Sequence, residues 1–147
     1  MNRIPPGQTL TGKWPVLTYG STPRFDPKRW AFRCFGLVER DVSFTWEEFL
    51  ALPRVTITSD VHCVTRWSKL DNVWEGVHVR EIMRRVTPLP EARYVMQHAD
   101  PDYTTNTALG DLLDDDVVLA LKHNGRDRKS TRLNSSHSAK SRMPSSA

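Results

Sequence analysis

The chain has 147 residues, with 21 Lys+Arg, 17 Asp+Glu and a formal charge of +4. That length suits one domain, and it is long enough to bury a core without disulfide staples. No run of roughly 18 apolar residues offers a membrane span, and no basic start leads into an apolar stretch as a secretory signal would. Two cysteines, Cys34 and Cys63, make no disulfide framework and suit a reducing, cytoplasmic setting.

The positive charge is local. Residues 127–147 hold five basic residues, one acid and seven serines, with no aromatic residue. The preceding 126 residues carry sixteen charges of each sign. A basic tail of this kind would suit nucleic acid. A blander reading fits better, because Asp127–His137 (DRKSTRLNSSH) resembles the in-frame translation of a sequencing-library adapter. The expectation is therefore a domain over 1–126, incomplete at its C-terminus, followed by a non-native disordered tail over 127–147. No nucleic-acid or membrane partner is expected.

In chain order, Met1–Pro27 holds five of the ten prolines and is expected to be extended, with Trp14, Val16 and Leu17 available to pin it. Trp30, Phe32 and Cys34 alternate with polar residues, which predicts a half-buried strand. Thr45 and Glu48 fit a capping box, opening a short helix with Trp46, Phe49 and Leu50 on its apolar side and Pro53 beyond its end. The β-branched run Arg54–Val64 predicts a strand. Val79, Ile82, Met83 and Val86 recur at helical spacing before Pro88. Arg93–Gln97 predicts a short strand, Leu109, Leu112 and Leu113 a helical turn, and Val117–Leu121 a buried strand. Asn124-Gly125 is a strong hairpin signal, yet only the tail follows, so no returning strand is expected. Short strands mixed with short helices predict an α+β fold.

The chemistry concentrates in His62-Cys63-Val64-Thr65-Arg66-Trp67-Ser68, where the predicted strand enters a loop. It offers a thiol, an imidazole, hydroxyls and a guanidinium that would favour a thiolate if close. An inert, packed cysteine is the bland alternative, and it is the better reading for Cys34. A zinc site is disfavoured, since no second Cys or His stands at ligand spacing. His78, His98 and His123 are scattered and read as surface or hydrogen-bonded residues. Asp102–Asn106 offers hydroxyl, phenol and amide groups for a polar ligand, or else a plain turn and N-cap. Asp114-Asp115-Asp116 lacks the alternating spacing of a calcium loop and reads as a solvated turn.

Taken together, PPGQ (5–8), WPVL (14–17), WEEFLALP (46–53), DVHCVTRWS (60–68), WEGV (74–77) and YTTN (103–106) resemble the sulfite oxidase-like family of molybdopterin-dependent oxidoreductases, in its soluble bacterial branch. The resemblance implies the N-terminal part of that family's mixed-sheet fold and a molybdenum–molybdopterin cofactor. It gives Cys63 the role of metal ligand and catalytic centre. It places His62, Thr65, Arg66, Ser68, Tyr103, Thr104 and Thr105 around the cofactor, the last three on a loop. It also implies oxygen-atom transfer on a small-molecule substrate, with electrons passed to a separate carrier. Sulfite oxidases proper carry Arg-Asn-His where this chain has Leu17-Thr18-Tyr19-Gly20, which removes groups expected to hold sulfite. Two alternatives remain: a cysteine-nucleophile hydrolase or transferase needing a histidine base, and an inactive fragment.

Overall fold

A computed structural model describes residues 3–13, 24–99 and 102–127. The Trp14, Val16 and Leu17 anchor and the tail beyond Asp127 lie outside these residues.

The first element is short: β1 spans Thr9–Leu10. β2 (Ala31–Cys34) and β3 (Val42–Thr45) pair antiparallel as a separate two-stranded ribbon. Trp30, Phe32 and Cys34 are half-buried between exposed neighbours, the predicted alternation. α1 (Trp46–Leu50) opens on a complete capping box: Thr45 accepts from the Glu48 backbone, and the Glu48 carboxylate accepts from the Thr45 N–H. Phe49 is its fully buried residue, and the rings of Trp30 and Phe32 pack on it with centroids 5.2 and 5.4 Å away.

β4 (Val55–His62) and β5 (Trp67–His78) form the long antiparallel hairpin at the centre of the fold. α2 (Val79–Val86) follows directly and buries Val79, Ile82, Met83 and Val86, the four residues set at helical spacing. Each such side chain contributes about 1.5–3 kcal/mol on burial, which is why a two-turn helix persists. His78 caps its start, accepting from the Arg80 N–H, and Thr87 closes it in a left-handed conformation just before Pro88.

β6 (Tyr94–Ala99) and β7 (Tyr103–Ala108) make a second ribbon, and α3 (Leu109–Leu112) is a single turn. β8 (Val118–His123) pairs antiparallel with β5, and β9 (Arg126–Asp127) returns along β8. The main sheet is therefore ordered β1-β5-β8-β9, with β4 on the other edge of β5. One face of it packs on α1, α2 and α3 through Val77, Leu119 and Leu121. The opposite face buries Trp74 and Val118 beside Val55, Ile57 and Val61.

This is the expected α+β architecture, with three local corrections. Asn124 and Gly125 take φ of 50° and 79°, the two left-handed positions of a tight hairpin turn, and a returning strand does follow. Asp127, assigned to the tail, pairs with Lys122 in that strand. Residues 103–105, expected in a loop or turn, lie inside β7, because Tyr, Thr and Thr suit a pleated, half-buried surface.

Gly76 shows how tightly the centre is joined. A Cβ there would stand 2.1 Å from the Leu119 carbonyl oxygen, at the irregular register between β5 and β8. Only hydrogen fits, which gives WEGV a packing reason of its own.

Candidate active site around Cys63

Cys63 sits just beyond the end of β4, at the tip of the β4–β5 hairpin. The Arg66 N–H donates to the Cys63 carbonyl at 3.0 Å, and the Cys63 N–H donates to the Trp67 carbonyl at 2.8 Å. Arg66 turns the chain with φ of 69°. This is a three-residue loop whose last residue is left-handed, a common hairpin closure. It holds the half-buried Cys63 between His62 in the strand and the exposed Val64, Thr65 and Arg66. The hydroxyl of Thr65 donates to Cys63 Sγ at 3.1 Å.

A third strand braces this tip from the N-terminal side. Pro5-Pro6-Gly7-Gln8 forms a turn, with the Gln8 N–H donating to the Pro5 carbonyl at 3.2 Å and Gly7 at φ of 80°. Proline followed by a left-handed glycine is the type II pattern, so PPGQ is first of all a turn signal. The turn feeds β1, which runs parallel to the start of β5 with Thr9 beside Trp67 and Leu10 beside Ser68. Arg3 strengthens the attachment by bridging Asp60 on β4 and Asp71 on β5. The Arg3 hydrogen bond holds the Asp60 carboxyl below the usual carboxylate range, and the two acids raise the guanidinium in turn.

Gln8 was not expected among the site residues. Its amide Nε2 donates to the Cys63 carbonyl at 3.0 Å, and its Oε1 accepts from the Ser68 hydroxyl at 3.0 Å. The polarity of this chain is determined. A backbone carbonyl only accepts, so the Gln8 NH2 must face Cys63 and its oxygen must face Ser68. The single Ser68 proton is then committed to Gln8. His62 Nδ1, 2.7 Å from Ser68 Oγ, is the donor there. Ser68 itself is fully buried. The sequence signalled the turn through Pro6-Gly7, but not the strand that its last residue would meet.

His62, Cys63, Thr65, Arg66 and Ser68 thus come together at one hairpin tip. Tyr103, Thr104 and Thr105 lie on a different sheet, in β7. Strand alternation splits them: Tyr103 and Thr105 are half-buried and Thr104 is exposed, so the three do not present one face. Two of the scattered histidines, His78 and His123, have structural roles. His78 caps α2 and meets the Asp115 carbonyl at 2.9 Å. His98 is exposed on β6. His123 is buried rather than on the surface: its Nε2 lies 2.9 Å from Asn72 Oδ1, and its ring stacks on Trp74 at 4.3 Å. Cys34 packs against the core, and burial pushes its thiol pKa up. Asp115 is an exposed turn residue paired with Arg80 at 2.6 Å.

Among the described residues no three His, Cys, Asp or Glu side chains gather as a metal cage. A metal held by the Cys63 thiolate would be matched by further soft donors. A pterin dithiolene supplies soft sulfur of that kind, and the lone thiol with its hydroxyl donor fits it. No imidazole meets Sγ in the hydrogen bonds of the described residues, so the pairing needed by a cysteine hydrolase has no support.

The comparisons with known proteins bear on the family of the chain. The uncharacterized oxidoreductase YuiH of Bacillus subtilis is 41% identical over 124 residues, covering 84% of this chain and 63% of its own length. The chain thus spans less than two thirds of that relative. The solved structure of the sulfane dehydrogenase SoxCD from Paracoccus pantotrophus shares the fold with a TM-score of 0.62 at 21% identity, over 71% of this chain and 32% of that one. The oxidoreductase molybdopterin binding domain matches residues 19–131, most of the chain, and the protein belongs to that family.

Proposed function

We propose that, in the intact protein, this domain holds a molybdenum–molybdopterin cofactor through the Cys63 thiolate and acts as an oxidoreductase by oxygen-atom transfer. The observation that carries the reading is the placement of Cys63. It is a half-buried thiol at a braced hairpin tip, with one hydroxyl donating to its sulfur and, among the described residues, no cage of His, Cys, Asp or Glu around it. When bound, the cofactor would supply two-electron redox chemistry at the metal and one-electron release to a separate carrier.

The chain's own residues have definable tasks. Thr65 fixes the direction in which the sulfur points by donating a hydrogen bond to it. Arg66, exposed beside it, offers a planar cation for an anionic group such as a phosphate. His62 offers its Nε2 to a polar group of a heterocycle. Ser68 and Gln8 hold His62 and the Cys63 carbonyl in register. Tyr103, Thr104 and Thr105 form the second proposed contact segment. The domain, expected to end at residue 126, is proposed to run at least through Asp127 of β9, and the substrate to be a small molecule.

The test uses the full-length gene product from cells grown with molybdate. Elemental analysis should find molybdenum in stoichiometric amount in the native protein and none in Cys63→Ser, with unchanged far-ultraviolet circular dichroism. Retention of the metal by the folded serine variant would overturn the assignment.

A further inference from the structure

The hairpin that carries Cys63 is not a regular ladder. Away from the tip, β4 and β5 pair in one block, from Val55 with Gly76 to Ser59 with Asn72. Next to the tip they pair in a second block, Val61 with Lys69 and His62 with Ser68. Between the blocks β4 has only Asp60, whereas β5 has both Leu70 and Asp71. β5 thus carries one extra residue, a bulge close beneath Cys63. That residue decides what faces what. Continued without it, the first block would pair Val61 with Leu70 and His62 with Lys69, and Ser68 would stand against Cys63. With it, His62 meets Ser68, and the Cys63 N–H reaches the Trp67 carbonyl. A slip of one residue would break the chain from His62 through Ser68 to Gln8 and put a lysine in the place of Ser68.

Two sets of side chains span the bulge. At the surface the Asp60 carboxylate accepts from the Asp71 N–H at 3.0 Å. Arg3 bonds the same carboxylate through both Nε and Nη2, and its Nη2 also reaches Asp71 Oδ1 at 2.7 Å. Asp71 stands at φ of 54°, a left-handed position that a short polar residue tolerates. In the interior the fully buried Asn72 donates through its amide nitrogen to the Ser59 carbonyl at 3.2 Å and to the Lys69 carbonyl at 2.7 Å. Those two carbonyls flank the bulge, one on each strand. Both only accept, so the Asn72 oxygen faces His123, and His123 Nε2 is the donor to it at 2.9 Å. An apolar side chain could fill the same space, but it would leave both carbonyls without this donor.

We propose that Asp60 and Asn72 are positioning residues for the Cys63 site: together they hold the extra residue in β5 and so select the register that sets Ser68, and not Lys69, against His62. Asp60 acts from the surface with Arg3, and Asn72 acts from the interior with His123 behind it. The inference deepens the proposed function, and its meaning for chemistry rests on the role assigned to Cys63. Its test reads backbone pairing alone, so a protein that binds no molybdenum would refute that role and leave this result standing.

Deleting Asp71 separates the selection of register from simple tethering. Without that residue the ladder would run unbroken from Ser59 with Asn72, through Asp60 with Leu70, to His62 with Ser68, and the native tip pairing would need no lock. The full-length gene product is prepared from cells grown without molybdate. Amide hydrogen exchange at Cys63 and the magnetic-resonance contact between the α-protons of His62 and Ser68 are then measured. Asp60→Ala should speed Cys63 exchange about ten-fold and weaken the contact, and Asn72→Ala should do the same. In the protein lacking Asp71, Asp60→Ala should change neither. Equal acceleration with and without Asp71 would mean that Asp60 only tethers Arg3, and the proposal fails. It also fails if deletion of Asp71 abolishes the contact between His62 and Ser68, or if Asp60→Ala leaves exchange and contact as they were. Should Asn72→Ala not fold, the surface variant Asp60→Ala decides alone.

Discussion

The side-chain amide of Gln8 donates to the backbone carbonyl of Cys63 at 3.0 Å, joining residues 55 positions apart. Through its oxygen the same amide holds Ser68, and through Ser68 it orients His62. One neutral side chain therefore fixes the tip that carries the candidate ligand. Removing it should loosen that tip without disturbing the core. Gln8→Ala is expected to lower stability by about 1–2 kcal/mol, the net worth of two partly buried hydrogen bonds. Hydrogen exchange should accelerate at the Cys63 and Arg66 amides while α2 amides keep their relative protection. Uniform loss of protection across the chain would contradict a local role.

Gly7 should matter because of its backbone alone. Nothing stands within 4 Å of a Cβ added there, so space is not the constraint, but its φ of 80° is one that side-chain-bearing residues rarely adopt. Gly7→Ala is expected to cost about 1 kcal/mol and to release β1 from β5, which chemical denaturation and β1 amide exchange would register.

Gly76 is the opposite case, limited by space and not by conformation. Gly76→Ala would force its methyl group into the Leu119 carbonyl and separate β5 from β8. A loss of at least about 2 kcal/mol is expected, with reduced soluble yield. A denaturation midpoint equal to the native one would show that the strands yield without cost.

Glu81 provides a pH signature. Arg84 and Arg85 bond its carboxylate at 2.7 and 2.9 Å and hold its pKa below the usual glutamate value, with Arg84 the larger cause. A depressed carboxyl stabilises the fold fully above the unfolded pKa, and this is lost as pH falls through the lower folded value. Glu81→Gln should cost about 0.5 kcal/mol near neutrality, and the gap should close below roughly pH 4. Thermal melts of both proteins across that range would check it.

Thr45 and Glu48 offer a control remote from the Cys63 tip. Their reciprocal bonds satisfy two of the free donors at the start of α1. Thr45→Ala should cost about 1 kcal/mol in denaturant unfolding and leave Cys63 alkylation unchanged.

The amino-acid sequence determined whatever depends on near neighbours. Val79, Ile82, Met83 and Val86 announce α2, because a period of 3.6 puts them on one buried face. Thr45 and Glu48 announce α1, and the residues from His62 to Ser68 announce the candidate site and, by their resemblance, the family. The tertiary structure decided what depends on distant partners. β1 lies parallel to β5 and turns Gln8 onto Cys63, although nothing local to Gln8 specifies that contact. β7 became a strand and not a loop because it could pair with β6, and β5 extends to twelve residues because β1, β4 and β8 all pair with it. Such pairings are hydrogen bonds between backbones far apart in the chain, and side-chain periodicity carries only the face each strand will bury, not the neighbour it will meet.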